Sequence, residues 1–232
     1  MKIVNVALRS RGLKILSYNL KVHEAYSELE ALVAEHQPDL VCLQECYPER
    51  LAPRIGNLHL AGKTSTEKYG LAIYVRGDRF ERLGSHSYGV ARSVSELVRR
   101  NERDRLLVVE LYDTINERTF YVASFHAIHL VATNWERRRQ VRQALRILRQ
   151  HCQDAPAVMA GDYNYPWFKW GLRRTVRRAG FEFLMSDKPT LKNRYFTGHF
   201  DMASTFNTHV TRVSTLKMGR SDHAPILLDV TL

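Results

Sequence analysis

The segment APAVMAGDYN, residues 155–164, decides the fold, because it joins a buried strand to a pair of polar side chains at its end. Residues 157–160 are apolar without alternation, which is typical of a strand covered on both faces. Asp162 and Asn164 then follow Gly161, where such a strand opens into a loop. An ordinary turn built around these two side chains is the alternative interpretation. Other strands that end in the same way would favour a shared site.

Seven further segments are predicted to be strands, because they are short and rich in β-branched and aliphatic residues. They are residues 13–19, 39–45, 69–76, 105–113, 119–127, 199–205 and 224–230. Between them, residues 25–36 and 135–152 carry apolar side chains at helical spacing. Strands that alternate with helices predict a mixed α/β layered fold. Without an internal repeat or a linker-like stretch, residues 1–232 are predicted to form a single domain.

The composition indicates a basic protein. The chain contains 35 Lys and Arg against 24 Asp and Glu, a formal net charge of +11, which attracts nucleic acid, anionic lipid headgroups or phosphorylated metabolites. The three cysteines fit neither a zinc spacing nor a disulfide framework, which favours reduced thiols in the cytoplasm. No apolar run approaches the ~20 residues of a membrane span, and the first residues do not resemble a signal peptide. We therefore expect a cytoplasmic monomer without a transmembrane segment.

Polar side chains end four of the predicted strands. These residues are Asn19, Glu45, His126 and Asp162, and Asn164 follows the last of them. Neighbouring strands lie ~5 Å apart, so residues at matching strand ends can converge. Ligands of layered α/β folds often bind at such an edge. Singly, each residue has a structural interpretation, but their repeated occurrence at strand ends favours one common site.

The motifs SYN (17–19), LQE (43–45), SFHA (124–127), GDYN (161–164) and SDHAP (221–225) occur in this order. As an ordered set they resemble the endonuclease/exonuclease/phosphatase superfamily, which contains the deoxyribonuclease I-like nucleases. The resemblance extends from Asn19 to His223. It implies a four-layer sandwich in which two mixed β-sheets pack face to face, with helices on the outer faces. It also implies hydrolysis of phosphate esters with a divalent metal.

The resemblance implies a metal site at the strand ends. Glu45 is the predicted metal ligand, with Asn19 beside it and Asp222 as a second acidic group facing the metal or the phosphate. Mg²⁺ suits this set because it takes oxygen ligands and needs only one or two carboxylates. Mn²⁺ is expected to substitute for it.

The resemblance also implies the groups that move protons. His223 is expected to accept a proton from water, because an imidazole titrates close to neutral pH. Asp201 is expected to orient that ring by a hydrogen bond to its other nitrogen. Asp162 and Asn164 resemble the pair that orients the nucleophile and contacts the phosphate.

Further residues are predicted around this centre. His126 stands where related nucleases and sphingomyelinases carry a histidine that binds phosphate or assists the leaving group, and Glu67 is its predicted partner. An exposed surface position is the alternative for Glu67. Arg105 and Tyr163 are predicted to contact the phosphate or the substrate. Ser124 departs from the family pattern, which has an asparagine at that place.

Residues 165–183 contain the features that bear on whether the substrate is a nucleic acid or a lipid. Three aromatic residues, Trp167, Phe168 and Trp170, precede four arginines, Arg173, Arg174, Arg177 and Arg178. One interpretation is a nucleic-acid platform in which Trp167, Arg173 and Arg174 contact the substrate. A contact with an anionic lipid surface and an ordinary basic amphipathic helix are the alternatives.

Three functions follow from these features. The first is a magnesium-dependent phosphodiesterase that acts on nucleic acid, foremost DNA. The second keeps the chemistry but takes a lipid or a small phosphate ester, as sphingomyelinase-like or inositol-phosphate phosphatase-like members do. The third is a non-catalytic nucleic-acid-binding module. The complete set of proton-transfer groups argues against the third, because a binding module has no need of them.

Overall fold

The computed structural model describes residues 12–65, 68–90, 104–129, 132–192 and 197–232. Within these residues the strands are β1 (Leu13–Asn19), β2 (Leu40–Cys46), β3 (Arg54–Ile55), β4 (Leu58–Lys63), β5 (Gly70–Arg76), β6 (Phe80–Tyr88), β7 (Leu106–Asp113), β8 (Arg118–His126), β9 (Ala157–Asp162), β10 (Glu182–Met185), β11 (Leu191–Lys192), β12 (Thr197–Gly198), β13 (Asp201–Phe206), β14 (His209–Thr215) and β15 (Ile226–Thr231). The α-helices are α1 (Leu29–His36), α2 (Asn134–Cys152) and α3 (Lys169–Arg178). Two single turns of 3₁₀ helix cover Tyr26–Glu28 and Pro48–Arg50.

Two mixed sheets form the body of the fold. One has seven strands in the order β14-β15-β1-β2-β5-β4-β3, and the other has six in the order β10-β13-β9-β8-β7-β6. Each sheet contains one parallel pair, β1 with β2 and β8 with β9, among antiparallel neighbours. A short antiparallel pair, β11 with β12, lies outside both sheets.

Three apolar clusters separate the layers. The first lies between the two sheets and includes Ile15, Ile73 and Val158. The second packs α2 and α3 on the outer face of the six-stranded sheet. The third packs α1, through Leu29 and Val33, on the outer face of the seven-stranded sheet. Two sheets face to face with helices outside them confirm the predicted four-layer sandwich.

The apolar segment of β9 is covered on both faces, as its sequence predicts. Val158 and Ala160 belong to the cluster between the sheets, whereas Ala157 and Met159 pack under the helices. Segment 25–36 differs from the prediction of one helix, because it starts as a 3₁₀ turn before α1. Among the described residues, none of the helices combines the length and the apolar composition that crossing a bilayer requires.

A buried ion pair connects Arg79 to Asp113 at the end of β7. Arg79 donates from Nη2 to Asp113 Oδ2 at 2.9 Å and from Nε to Oδ1 at 3.2 Å. Arg79 Nη1 also lies 3.2 Å from Asp39 Oδ1. Burial would raise the pKa of Asp113, but hydrogen bonds from Arg79 and Asn116 outweigh burial and hold that pKa below its ordinary value. The carboxylate is therefore ionised in the folded chain, and its charge stabilises the fold.

We expect Asp113→Asn to lower the free energy of unfolding by about 3–5 kcal/mol, because a buried guanidinium loses one of its carboxylates. Asp78→Asn is the matched control, since Asp78 pairs with Arg76 at the surface, where such pairs contribute less than about 1 kcal/mol. Urea unfolding at neutral pH measures both changes. Because the folded pKa of Asp113 is depressed, its contribution is present above about pH 4 and is lost as the pH falls through the folded pKa. Equal stability of Asp113→Asn and the unchanged chain would contradict this account.

Candidate active site

The carboxylate of Asp162, at the end of β9, is the centre of a buried polar cluster. Asn19 and Asn164 donate from their Nδ2 atoms to Asp162 Oδ2, at 3.0 and 3.2 Å. The Nε2 atoms of His126 and His223 lie 3.8 and 3.7 Å from the same oxygen. Asn19 belongs to the seven-stranded sheet, whereas Asp162 and His126 belong to the six-stranded sheet. The cluster therefore joins both sheets at one common edge.

Strand register brings these residues together. Asp162 has two register partners. They are His126 in the parallel pair β8 and β9, and Asp201 in the antiparallel pair β9 and β13. Cross-strand partners have side chains about 5 Å apart, so three consecutive strands place their polar residues side by side. In the other sheet, Asn19 is the register partner of Gln44, one residue before Glu45. The edge predicted from the strand ends is therefore present in the structure.

Glu45 faces the same cluster from β2. Its Oε1 atom accepts a hydrogen bond from Asn19 Nδ2 at 3.3 Å and lies 3.5 Å from His126 Nε2. Its Oε2 atom accepts from the Val22 backbone N–H at 3.0 Å. The backbone of Glu45 has φ of 54°, and the pairing of β2 with β5 shifts register between Leu43 and Cys46. Such an irregularity turns a side chain away from the regular alternation of a strand.

The loop after β1 is strained where it contacts Glu45. Lys21, Val22 and His23 have φ of 48°, 54° and 73°, in the left-handed region. This conformation is a genuine outlier for a β-branched residue such as Val22 and costs of order 1–3 kcal/mol. The His23 backbone N–H donates to the Glu45 carbonyl at 2.8 Å, which adds a second bond between the loop and β2. The strained loop thus fixes one Glu45 oxygen and leaves the other facing the cluster.

His223 and Asp201 form the second half of the site. His223 Nδ1 lies 2.8 Å from Asp201 Oδ2, and its Nε2 faces Asp162. The backbone N–H of His223 donates to Ser221 Oγ at 3.1 Å, and this hydroxyl donates to the backbone carbonyl of Asn19 at 2.7 Å. Ser221 therefore fastens the loop before β15 to the end of β1. A carboxylate on one ring nitrogen fixes the tautomer and directs the other nitrogen into the site.

The pKa values show how much negative charge the cluster holds. Burial raises the pKa of Asp162 to about 7, and the charges of Asp201 and Glu45 act in the same direction, against that of His223. Burial by itself would lower the pKa of His223, but the charges of Asp201 and Asp162 outweigh it and raise that pKa to about 10. With these carboxylates alone around it, the imidazole is protonated at neutral pH. A base at this position requires that part of the surrounding negative charge be neutralised.

The donor set fits a hard divalent cation. Three buried carboxylates, Glu45, Asp162 and Asp201, lie around two imidazoles, and in the described part of the chain Asp201 Oδ1 has no hydrogen-bond partner. Asp162, Asp201 and His223 bring one ligand atom each within 4.8 Å of one another. Oxygen ligands of this kind suit Mg²⁺ or Mn²⁺. Uncompensated buried carboxylates are stabilised by such a charge.

Asn19, a predicted metal ligand, lies between two carboxylates of the cluster. Its Oδ1 atom accepts the Lys21 backbone N–H at 2.9 Å, and its Nδ2 atom donates to both Asp162 and Glu45. In this orientation the amide nitrogen faces the cluster and bridges the two carboxylates. Asn19 therefore holds the two carboxylates in position. Asp222, the other predicted acidic group, is partly exposed beside His223, and its charge contributes to the raised pKa of that histidine.

Three other predictions have different outcomes. Arg105 is buried and donates from Nη1 to the backbone carbonyl of His126 at 3.2 Å, so its guanidinium supports the strand end that carries His126. Tyr163 lies in the apolar cluster under the helices, with its hydroxyl 2.8 Å from Ser204 Oγ. Its phenol does not reach the polar cluster, which corrects its prediction as a substrate contact. Glu67, the predicted partner of His126, lies outside the described residues.

The predicted platform residues lie on α3 and in the turn before it, outside the hydrogen-bonded cluster. Trp167 is 56% exposed in the turn before α3, and Arg173 and Arg174 are exposed on that helix. Leu172 and Val176, on the opposite face of α3, are fully buried, as the spacing predicts. The structure therefore separates a polar cluster at the strand ends from a basic surface on the outer helices.

Two supporting features were not predicted. Gln44 donates to Ser124 Oγ at 2.9 Å, and Ser124 donates to the Leu43 carbonyl at 2.9 Å, so this pair joins the two sheets beside the cluster. Ser124 stands where the family pattern has an asparagine, and this difference is the feature of the sequence that points to the Gln44–Ser124 pair. Lys169, at the start of α3, donates to the carbonyls of Tyr165 and His199, and burial lowers its pKa to about 8. It holds the loop that follows Asn164.

Comparison with known proteins identifies a family. The Endonuclease/Exonuclease/phosphatase family matches residues 15–223, which include the whole polar cluster. None of the curated proteins matches the sequence.

Comparison with solved structures shows the fold. TDP2 of D. rerio, solved with a single-strand DNA product, is similar with a TM-score of 0.74 and 18% identity, over 95% of this chain and 99% of that chain. A mannosyl-6-phosphatase of Bacteroides thetaiotaomicron is similar with a TM-score of 0.75 and 15% identity, over 95% and 100% of the two chains. The catalytic domain of human Nocturnin has a TM-score of 0.70 and 17% identity, over 97% and 95%. At these identities the likeness concerns the fold and not the substrate.

Proposed function

The chain belongs to the endonuclease/exonuclease/phosphatase family, and from this premise we propose that it is a divalent-metal-dependent phosphodiesterase that acts on nucleic acid, with DNA as the first candidate. One observation carries the proposal. The Asp162 carboxylate lies within 3.0–3.8 Å of side-chain nitrogens of Asn19, Asn164, His126 and His223, which come from four separate segments. Such convergence serves chemistry better than it serves stability, because it concentrates buried charge at one edge.

Hydrolysis of a phosphate diester needs an oriented water, neutralised phosphoryl oxygens and a stabilised leaving oxygen. The oxygens of Glu45 and Asp162 would hold the metal, which when bound supplies positive charge to the phosphate and to the leaving oxygen. The same charge would offset the carboxylates that raise the pKa of His223. Mg²⁺ is the proposed ion, and Mn²⁺ is expected to substitute for it.

Side chains of the polar cluster carry out the proton transfer and contact the phosphate. His223 Nε2 takes the proton of the attacking water, and Asp201 stabilises the imidazolium that forms. Asn164 donates from Nδ2 to Asp162 and to the Ala127 carbonyl at 3.1 Å, so the amide is fixed at the edge where the phosphate would lie. In this proposal His126, whose Nε2 atom lies 3.5 Å from Glu45, donates to a phosphoryl oxygen or to the leaving oxygen. Arg105 and Ser221 position the two histidines through the backbone.

The charge of the chain supports nucleic acid as the substrate class. A net charge of +11 raises the local concentration of a polyanion. TDP2, which is similar in fold, was solved with a single-strand DNA product, whereas another similar structure is a mannosyl-6-phosphatase. A small phosphate ester is therefore the second candidate, and the two differ in whether the substrate is a diester within a chain or an isolated monoester.

A hydrolysis screen tests the proposal. Purified protein is incubated with single-stranded DNA, duplex DNA, RNA, sphingomyelin vesicles, inositol phosphates and mannose 6-phosphate, with Mg²⁺ or with a chelator. We expect cleavage of DNA that requires the metal and that His223→Ala loses. Release of phosphate from the monoesters with intact DNA would replace nucleic acid by a small ester. Tight DNA binding without turnover of any ester would contradict the enzymatic proposal.

A further inference from the structure

The positive charge of the chain is concentrated on two helices. α2 and α3 contain ten arginines and one lysine against a single acidic residue, Glu136. They therefore carry ten of the eleven net positive charges, and the other 203 residues, with 24 basic and 23 acidic side chains, are almost neutral. A merely basic protein would distribute this charge over its surface. The concentration on one layer indicates a local binding function.

A groove runs between α2 and α3 on the outside of the six-stranded sheet. One cavity of about 480 Å³ is lined by Arg142, Arg146 and Arg149 of α2 and by Arg178 of α3. A second, of about 530 Å³, is lined by Arg138, Arg142 and Arg178, together with Phe168 and Trp170. Arg142 and Arg178 line both cavities, so the two form one continuous groove. We call this feature the arginine groove.

The arginines along the groove repeat at a regular interval. Arg138, Arg142 and Arg146 follow one another at four-residue spacing on α2, which corresponds to a rise of about 6 Å between successive side chains. Arg174 and Arg178 repeat this spacing on α3. In the described ranges, no carboxylate pairs with Arg142, Arg146 or Arg178, whereas Arg149 lies 3.4 Å from Asp154. Three guanidinium groups in the groove are thus available to an external anion.

Exposed aromatic rings lie at one end of the arginine groove. Trp135, Phe168 and Trp170 are 61%, 68% and 69% exposed, near the first residues of α2 and α3. Large apolar side chains are seldom so exposed together without a partner. The Asn134 side chain donates to the Trp167 carbonyl at 3.2 Å, which joins the two helix starts. Because the lining residues of α2 run from Asn134 to Gln150, the groove extends away from these rings by up to about 24 Å.

This aromatic end is also the end nearest to the active site. Arg137, at the start of α2, donates to the His129 carbonyl at 2.9 Å, three residues after His126. Gln140 accepts the Ile128 backbone N–H at 2.9 Å. The loop that follows β8, directly after His126, is therefore held by hydrogen bonds to the first turns of α2. A chain-like ligand in the groove would enter or leave beside the catalytic edge.

We propose that the arginine groove binds a single strand of nucleic acid outside the active site. A basic groove that follows the backbone, with aromatic rings on which bases stack, is the arrangement that binds unpaired strands with little sequence preference. The exposed rings need bases that are not already stacked in a duplex, which favours a single strand. A bilayer is flat and would meet the protruding rings, but it would not enter the groove. The proposal goes beyond the hydrolytic function and holds whichever phosphate ester is cleaved.

Binding is tested with the metal chelated, so that the result does not depend on hydrolysis. The probe is a fluorescein-labelled single-stranded oligonucleotide of about 16 nucleotides, whose anisotropy is measured against protein concentration at several salt concentrations. The groove variant is Arg142→Glu/Arg146→Glu/Arg178→Glu. The matched control is Arg54→Glu/Arg118→Glu/Arg212→Glu, which makes the same change in net charge at exposed positions of β3, β8 and β14. Thermal unfolding of each variant reports whether it is folded.

We expect the groove variant to bind the oligonucleotide at least ~10-fold more weakly and its salt slope to fall by about 2, because three phosphate contacts are lost. The control should remain within about 3-fold of the unchanged chain, since distant surface charges are screened. Trp170→Ala tests the aromatic end separately and should weaken binding by roughly 10-fold, because a stacked base is lost.

Two outcomes would overturn the proposal. Equal losses in the groove variant and the control would show that net charge alone attracts the strand. Unchanged oligonucleotide binding, together with groove-dependent binding to phosphatidylserine vesicles, would make the groove a membrane contact. The binding assay can be interpreted even if the hydrolysis screen shows no turnover. Failure of the enzymatic proposal is therefore distinguishable from failure of the proposed binding in the arginine groove.

Discussion

Replacement of His223 by alanine is expected to lower kcat for a nucleic-acid substrate by about 10²–10⁴-fold, because the group that takes the proton from water is removed. The ring is placed for this task from both sides, with Asp201 2.8 Å from Nδ1 and Asp162 3.7 Å from Nε2. Single-turnover cleavage with saturating Mg²⁺ measures the chemical step. KM should change little, since the imidazole is not needed to hold the substrate.

His209→Ala is the matched control for this variant. His209 is exposed at the start of β14, outside the polar cluster, so its removal should leave kcat within about 2-fold, as surface changes usually do. A His223→Ala chain that keeps kcat within about 10-fold of the unchanged chain would show that proton transfer at this position is not needed.

Replacement of Glu45 by glutamine is expected to weaken Mg²⁺ binding by at least ~10–100-fold, because even partners outside the first ligand shell cost that much when removed. The glutamine keeps the size of the side chain but presents a neutral amide where the negative Oε1 atom lies 3.5 Å from His126. Activity should return in part at high Mg²⁺ concentration. The measurement is the cleavage rate as a function of Mg²⁺ concentration, with metal binding by calorimetry beside it.

Glu49→Gln is the control for loss of a nearby negative charge. Glu49 is exposed in the 3₁₀ turn Pro48–Arg50, four residues after Glu45. Its replacement should leave the Mg²⁺ dependence unchanged, because a screened surface charge contributes little. The same Mg²⁺ dependence in Glu45→Gln and in the unchanged chain would remove Glu45 from the metal site.

Segments with a strong periodic signal could be predicted from the sequence. α2 is clear because its apolar residues fall at helical spacing, and β9 is clear because its apolar run has only the length of a strand and is bounded by Pro156 and Gly161. β6, with the sequence FERLGSHSY, was missed because it is an edge strand with mostly exposed residues and no apolar alternation. The other edge strands, β14, β10 and β3, are absent from the prediction as well, and β14 has an irregular register near Val210. Edge strands depend on their neighbour for pairing, which a local pattern does not contain.

The candidate site was predictable where polar residues end strands, and less so where their orientation matters. Asp162 and Asn164 face the cluster while Tyr163 faces the core, and the left-handed backbone of Asn164, with φ of 47° after the end of β9, is not visible in the sequence. The sequence places Asn19 at the end of its strand. Hydrogen bonds of the Lys21–His23 loop, however, decide which atom of the Asn19 amide faces Asp162. Only the folded chain contains that information.

The basic surface shows the same limit. The sequence places Arg142, Arg146 and Arg149 opposite the apolar face of α2, and it places Arg178 near the end of α3. It does not show that the two helices lie side by side, which is what makes a groove between them. Tertiary packing of helices that are distant in sequence has no local signal.

The central claim is that Glu45 and His223 act together on one phosphate, and a double-mutant cycle tests it most directly. Single-turnover cleavage of a labelled DNA strand is measured in saturating Mg²⁺ for Glu45→Gln, His223→Ala and the double variant. Groups that act as a unit are strongly non-additive. We therefore expect the double variant to lose about as much activity as the worse single variant. Losses that multiply, or a single variant with full activity, would show that the two side chains do not belong to one catalytic centre.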